Sequence, residues 1–167
     1  MKTDKIVISI IVILVIVMIG GIVVVASKEG TANSSILSYL SSDSEKPKVE
    51  TDSVFADLGN MKVSDEKSAA FKITNIGNKP LTLFSISSSC NCTVGKVTVN
   101  GVSSPELGMH SNSNYQATLN PTESATVEVI YRPSVMPVQG EVGREVYVKT
   151  NDPEKPMLTF SIKAYVE

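Results

Sequence analysis

The stretch LTFSIKAYVE, residues 158–167, places an apolar side chain at every second position. Alternate side chains of an extended strand point to opposite faces of a sheet, so this pattern predicts a half-buried β-strand. A helix would instead need apolar residues three and four positions apart. Similar short runs occur earlier in the chain, and together they predict strands at residues 54–58, 68–75, 81–88, 94–99, 125–131, 144–150 and 157–166.

Clusters of Asn, Gly and Pro separate these runs, at residues 75–80, 100–101, 120–121 and 151–153. Asn and Gly tolerate a positive φ and Pro lacks a backbone donor, so strands end at such clusters. The pattern predicts an all-β fold, an immunoglobulin-like antiparallel β-sandwich of about seven strands at residues 54–167. Residues 102–115, rich in Ser, Asn and Gly, interrupt the rhythm, and we expect a long exposed loop there, disordered rather than functional.

The N-terminal part has a different composition. Residues 6–26 form an uncharged, almost entirely apolar run, which as a helix would span roughly 31 Å, against about 30 Å for the hydrocarbon core of a bilayer. This predicts one transmembrane anchor, with residues 1–5 as a cytoplasmic tip and the sandwich outside the cytoplasm. Residues 27–53 are rich in Ser and predict a flexible stalk. The alternative is a cleaved leader, which would make the domain a secreted one.

Composition excludes several classes of function. Lys and Arg number 15 against 17 Asp and Glu, so the chain has no excess of positive charge for nucleic acid. The absence of Trp and the low aromatic content argue against a surface on which bases stack. The single histidine, His110, has no evident orienting partner for acid–base catalysis. We therefore expect neither an enzyme nor a nucleic-acid-binding protein.

Two motifs carry a resemblance to a known family. FKITNIGNKPLTL at residues 71–83 and SSSCNCT at residues 87–93 resemble the bacterial domain-of-unknown-function family fifteen-seventy-three. Its members carry F-x-x-x-N-x-G-[ND]-x-P-L followed by S-C-G-C-T, and here Asn91 stands in place of the Gly between the cysteines. The resemblance covers residues 54–167. It implies an immunoglobulin-like domain akin to the PapD and motile-sperm-protein sandwiches, usually exported or membrane-tethered, with no settled activity.

Cys90 and Cys92 are the two cysteines of the chain. In an extended strand, residues two apart have their Cα atoms about 6.6 Å apart, at the outer limit of disulfide geometry, so a bridge between them requires a local kink. The first hypothesis is that the pair is packed or bridged as a brace for a turn. Lys96 is the one basic residue near the pair in sequence, which gives little support for an activated thiol.

Two further hypotheses give the pair a chemical role. Two thiolates suit a soft ion such as Cu(I), and a metal site would combine Cys90 and Cys92 with His110, or with Met109 or Met136 as a further ligand. Alternatively, the pair is a labile couple for thiol–disulfide exchange. Apart from this possible Cu(I), no cofactor is expected.

The predicted function is that of a membrane-anchored, extracytoplasmic binding or envelope-assembly module with a protein partner. Edge strands of a sandwich present unpaired N–H and C=O groups, which can accept a strand from such a partner. The alternative is a soft-metal or thiol redox protein that uses Cys90 and Cys92.

Overall fold

The computed structural model describes residues 36–111 and 113–167. The predicted cytoplasmic tip, the predicted anchor at residues 6–26 and the first part of the predicted stalk lie outside these residues. In the described part of the chain, no helix has the length and hydropathy needed to cross a bilayer. The described residues contain ten strands and a 3-10 turn, Pro133–Val135: β1 Val49–Thr51, β2 Phe55–Met61, β3 Lys67–Asn75, β4 Leu81–Ser88, β5 Thr93–Val99, β6 Val102–Ser103, β7 Gln116–Leu119, β8 Ser124–Tyr131, β9 Gly140–Thr150 and β10 Met157–Val166.

The strands form two five-stranded sheets. The first has the order β1-β3-β8-β5-β6 and the second the order β2-β10-β9-β4-β7. This confirms the predicted all-β sandwich of two sheets. Neighbouring strands are antiparallel with one exception, because β2 runs parallel to β10. The prediction of a purely antiparallel sandwich is wrong at this edge, since alternation of side chains carries no information about strand direction.

Alternation along the long strands fills the space between the sheets. Phe71 of β3 and Phe160 of β10 are buried, and their ring centroids lie 5.1 Å apart across the core. Ile73, Val127 and Val146 are fully buried around them. Burial of such side chains is the main favourable contribution to folding, at about 1.5–3 kcal/mol for each.

The first strand lies within the predicted stalk. Val49 of β1 pairs with Asn75 of β3 and is 1% exposed. Its N–H donates to Asp152 Oδ2 at 2.8 Å, and Lys155 Nζ donates to its carbonyl at 3.3 Å. The folded domain therefore starts before residue 54, and the predicted stalk boundary at residue 53 is wrong. Three residues are too few to show an alternation of period two.

The predicted loop at residues 102–115 is also partly ordered. Its start, β6, pairs with the end of β5, and buried Leu107 forms a bridge with Gly95. Between them, the Ser104 N–H donates to the Val97 carbonyl at 2.8 Å. These residues cover the outer edge of β5, so the expectation of disorder is wrong for them. The two residues of β6 and one buried leucine do not stand out in a Ser-rich composition.

Side chains close the edge formed by β2. Ser53 Oγ donates to the carbonyl of Phe55 at 3.0 Å. Lys67 Nζ, from β3, donates to the carbonyls of Leu58 at 2.8 Å and Asn60 at 2.7 Å. An ammonium group at these carbonyls hinders the approach of an added strand and brings a charge to the edge. Among the described strands, this leaves β7, with four residues, as the edge most open to strand addition.

Candidate functional site

The two cysteines lie in a tight turn between β4 and β5. The Thr93 N–H donates to the Cys90 carbonyl at 3.3 Å, which closes the turn Cys90-Asn91-Cys92-Thr93. The Cα atoms of the cysteines are 5.3 Å apart and their sulfurs are joined in a disulfide. This is the local kink that a bridge between residues two apart requires. Asn91 is absent from the described residues with positive φ, so the turn does not need the glycine that the resembled family has there.

The disulfide is packed at one end of the sandwich. Cys92 is 2% exposed and Cys90 is 9% exposed. The Arg132 N–H donates to the Cys92 carbonyl at 2.8 Å, and Ser88 Oγ donates to the Cys90 carbonyl at 2.8 Å. The pair is thus fixed by hydrogen bonds to its own backbone, as expected for a turn brace.

Arg144 of β9 is the functional residue that sequence reasoning missed. Its Nε donates to Cys92 Sγ at 3.3 Å, and its Nη1 donates to the Gly143 carbonyl at 2.7 Å. Its guanidinium carbon lies 5.7 Å from the centroid of the buried Tyr131 ring, within the range of a cation–π contact. Arg144 and Cys92 are 52 positions apart in sequence, so only the pairing of the strands brings them together.

One signal in the sequence does mark Arg144. Val142, Val146 and Val148 all face the core from β9, and Arg144 has the same parity. A cationic side chain on the same side of a strand as core valines needs hydrogen-bond acceptors or other partners at the end of the sandwich, because an unpaired charge is costly to bury.

The proposed copper ligands are not gathered. His110 lies exposed in the turn that follows Leu107, and Met109 and Met136 are 42% and 48% exposed. Among the described residues, no group of three His, Cys, Asp or Glu side chains has a geometry that could hold a metal ion. The sulfurs of Cys90 and Cys92 are bonded to each other rather than available as thiolates. Copper binding by the reduced pair stays a prediction, and His110 is not part of one site with it.

A groove of about 420 Å³ lies beside this end of the second sheet. Gly143 faces outward from β9 in the groove, and a Cβ added there would meet no atom within 4 Å. Phe55, which is 54% exposed, also lines it. The groove is also lined by Ser89, the residue before Cys90, and by Arg144, which contacts Cys92 Sγ, so it lies near the disulfide.

The two glutamates of the groove have different kinds of partner. Lys163 Nζ lies 2.8 Å from Glu141 Oε2, and this hydrogen bond and charge raise the pKa of Lys163. The Tyr147 hydroxyl donates to Glu145 Oε2 at 2.6 Å, and this bond raises the pKa of Tyr147. In the part of the chain that the structure describes, no lysine or arginine forms a salt bridge with Glu145. Within residues 36–111 and 113–167, one carboxylate of the groove therefore has no cationic partner.

The two packed sheets define an immunoglobulin-like domain. The model of the family described as "HYDIN/CFA65/VesB-like, Ig-like domain" matches residues 47–165. The chain belongs to this family. The match begins at residue 47, just before β1, which agrees with a folded domain that starts before residue 54.

Solved structures are similar in fold. A protein of unknown function from Porphyromonas gingivalis W83 matches with a TM-score of 0.55 and 20% identity, over 72% of this chain and 47% of that one. The chain thus spans about half the length of that protein. The ASH/PapD-like domain 7 of human CEP192 matches at a TM-score of 0.48 and 15% identity, over 80% of this chain and 96% of that domain. The VesB protease of Vibrio cholerae matches at a TM-score of 0.41 and 17% identity, over 70% of this chain and 31% of that one. No curated protein matches the sequence.

Proposed function

We propose that the protein is a membrane-anchored, extracytoplasmic binding module, and that the groove at Gly143 takes an extended segment of a protein partner. Residues 6–26 anchor it, and the sandwich lies beyond the cytoplasmic membrane as an envelope component without catalytic activity of its own. Membership in an immunoglobulin-like family supports a role in protein binding. The resemblance to family fifteen-seventy-three, whose members are usually exported or tethered, supports the location.

The groove is the observation that carries the proposal. An exposed aromatic side chain and an uncovered glycine that line the same groove form a shallow recess in which an apolar side chain can be desolvated, and such recesses are typical of binding hot spots. Phe55 supplies the aromatic wall, and Gly143 leaves the space. Strand addition is less well supported, because side chains or loop residues cover β1, β2 and β5, and the edge that is left at β7 has four residues.

The polar groups of the groove define the chemistry of the segment. Glu145, without a salt bridge among the described residues, attracts a lysine or arginine of the partner. The hydroxyls of Ser89 and Ser161 suit the backbone of an extended chain. The partner segment therefore carries an apolar residue for the recess beside Phe55 and a basic residue for Glu145.

Two tryptophan variants test the groove. Gly143→Trp fills the recess, and the open space around its Cβ lets the sandwich keep its fold. Ala70→Trp, on the exposed outer face of β3 in the other sheet, is the matched control. A photo-crosslinking residue at position 55 of the full-length protein in native membranes reports the partner. We expect Gly143→Trp to reduce the cross-linked adduct at least tenfold and Ala70→Trp to leave it unchanged. Equal adduct from both variants would refute binding in the groove.

Protease shaving tests the location. Intact cells, or spheroplasts where an outer membrane is present, should lose the sandwich when protease is added outside. If the sandwich is cleaved only after lysis, the proposed orientation is wrong. Recovery of the sandwich in the culture medium would instead support the cleaved leader.

A further inference from the structure

We propose that the Cys90–Cys92 disulfide is an exchangeable redox pair in which Arg144 stabilises the thiolate of Cys92. The substrate class is a protein dithiol. This inference goes beyond the proposed binding function, and its test needs no partner.

The first argument is the size of the ring that the disulfide closes. The sequence separation is 2, and the entropy that a disulfide removes from the unfolded chain falls as its loop shortens. Core strands already hold the turn on either side, since β4 pairs with β9 and β5 pairs with β8. A disulfide that closes so short a loop contributes little to the stability of the fold, and it can be opened without unfolding the sandwich.

The second argument is the cation at Cys92. A positive charge next to a sulfur favours its thiolate, and a thiol with a more stable thiolate leaves faster in exchange. Arg144 is already positioned for this, because the Gly143 carbonyl and the Tyr131 ring hold its guanidinium with Nε directed at Cys92 Sγ. Thr93 Oγ1, 3.3 Å from Cys90 Sγ, is a neutral and weaker donor. The two sulfurs are therefore electrostatically unequal.

The third argument is the unequal exposure of the two cysteines. Cys90 is 9% exposed and Cys92 is 2% exposed, so Cys90 is the residue of the pair that is more open to an incoming thiolate. The groove also begins at Ser89, directly before Cys90. Attack at Cys90 with departure of Cys92 is thus the direction that both access and charge favour.

The reaction has two steps. In the first, a thiolate of the partner dithiol attacks Cys90 Sγ, a bond forms between these sulfurs, and the Cys90–Cys92 bond breaks with its electron pair moving to Cys92. The Cys92 thiolate stays beside Arg144. In the second, the other thiolate of the partner attacks the partner sulfur of the mixed disulfide and releases Cys90 as a thiolate. The partner dithiol loses two electrons and becomes a disulfide, and the Cys90–Cys92 disulfide gains them and becomes two thiolates.

The test measures reduction of the full-length protein in detergent micelles by dithiothreitol, followed by alkylation of free thiols and mass determination. The variants are Arg144→Gln, Arg144→Lys and Lys96→Gln. Lys96 is the matched control, because it is the cation nearest in sequence but lies 3.7 Å from Glu128 instead of contacting a sulfur. Circular dichroism checks that each variant is folded.

We expect Arg144→Gln to slow reduction about tenfold, Arg144→Lys to retain most of the rate, and Lys96→Gln to match the native protein. If the equilibrium with the dithiol shifts by the same factor, the potential falls by about 30 mV. Equal rates for Arg144→Gln and the native protein would overturn the role of Arg144. Resistance of the native disulfide to reduction until the domain unfolds would overturn the exchange itself.

Single-cysteine variants test the direction of attack independently of Arg144. With glutathione disulfide as the probe, Cys92→Ser leaves the thiol of Cys90, the more exposed residue of the two, and Cys90→Ser leaves the thiol of Cys92, the less exposed one. We expect the mixed disulfide with glutathione to form faster at Cys90. Faster formation at Cys92 would reverse the assignment of attacked and leaving sulfur.

Discussion

Replacing Gly77 by alanine should detach β1 from the sandwich. A Cβ at position 77 would lie 2.5 Å from the Lys46 carbonyl oxygen and 2.7 Å from the Pro47 carbonyl carbon, and it would also clash with the Lys48 nitrogen. All three are backbone atoms, so no side-chain rotation relieves the overlap. The segment leading into β1 must therefore move away from the turn after β3.

The size of the effect follows from what this movement breaks. The Ile76 N–H donates to the Lys48 carbonyl at 2.8 Å, and the Lys46 N–H donates to Asn78 Oδ1 at 3.0 Å. Each such bond contributes about 1 kcal/mol net. Exposure of the buried Val49 side chain adds about 1.5–3 kcal/mol. Together, we expect Gly77→Ala to lower the free energy of unfolding by about 3.5–5 kcal/mol.

Urea unfolding of the full-length protein in micelles, followed by circular dichroism, measures this loss. The matched control is Gly143→Ala, whose new methyl group meets no atom within 4 Å and which should change stability by less than about 1 kcal/mol. Hydrogen exchange should also show the Val49 amide losing its protection in Gly77→Ala alone. Equal stability of the two variants, with the Val49 amide still protected, would refute the close approach at Gly77.

Two further predictions concern charge and metal. The hydrogen bond from Arg132 lowers the pKa of Glu106 below its ordinary value of 4.5. This contact therefore stabilises the fold above that pH, and the stabilisation is lost as the pH falls through the lowered pKa. The free energy of unfolding, measured as the pH is lowered, should fall less steeply for Glu106→Gln than for the native protein. The reduced full-length chain should bind Cu(I) in competition with a chromophoric chelator, and serine at both Cys90 and Cys92 should abolish binding. His110→Ala should leave that affinity unchanged, because the exposed imidazole is not grouped with the sulfurs, and a tenfold loss would show that its loop closes over them.

The long strands could be predicted because each spans enough residues to show its period. β10 alternates over its ten positions and β8 over the first six of its eight, and both form where the sequence indicates. β1, β6 and β7 have three, two and four residues, and their positions depend on pairing with strands far away in sequence. The parallel direction of β2 likewise depends on the tertiary path of the chain.

The candidate site was predictable only in part. The spacing of Cys90 and Cys92 correctly required a kink for a bridge, and the structure contains one. The contact between Arg144 and Cys92 could not be predicted, because it depends on which strands are neighbours and on their register. The matching parity of Arg144 with Val146 places its side chain toward the core but does not identify the sulfur that it contacts.

The lysine that closes the β2 edge also bears on aggregation. A bare edge lets one sheet continue into the sheet of another copy, and repetition of that contact builds a fibril. The Nζ of Lys67 occupies two carbonyls of that edge and adds a charge that a stacked copy would have to desolvate. Loss of this one ammonium group, by substitution or acetylation, would leave each folded molecule intact while making crowded solutions of it prone to polymerise.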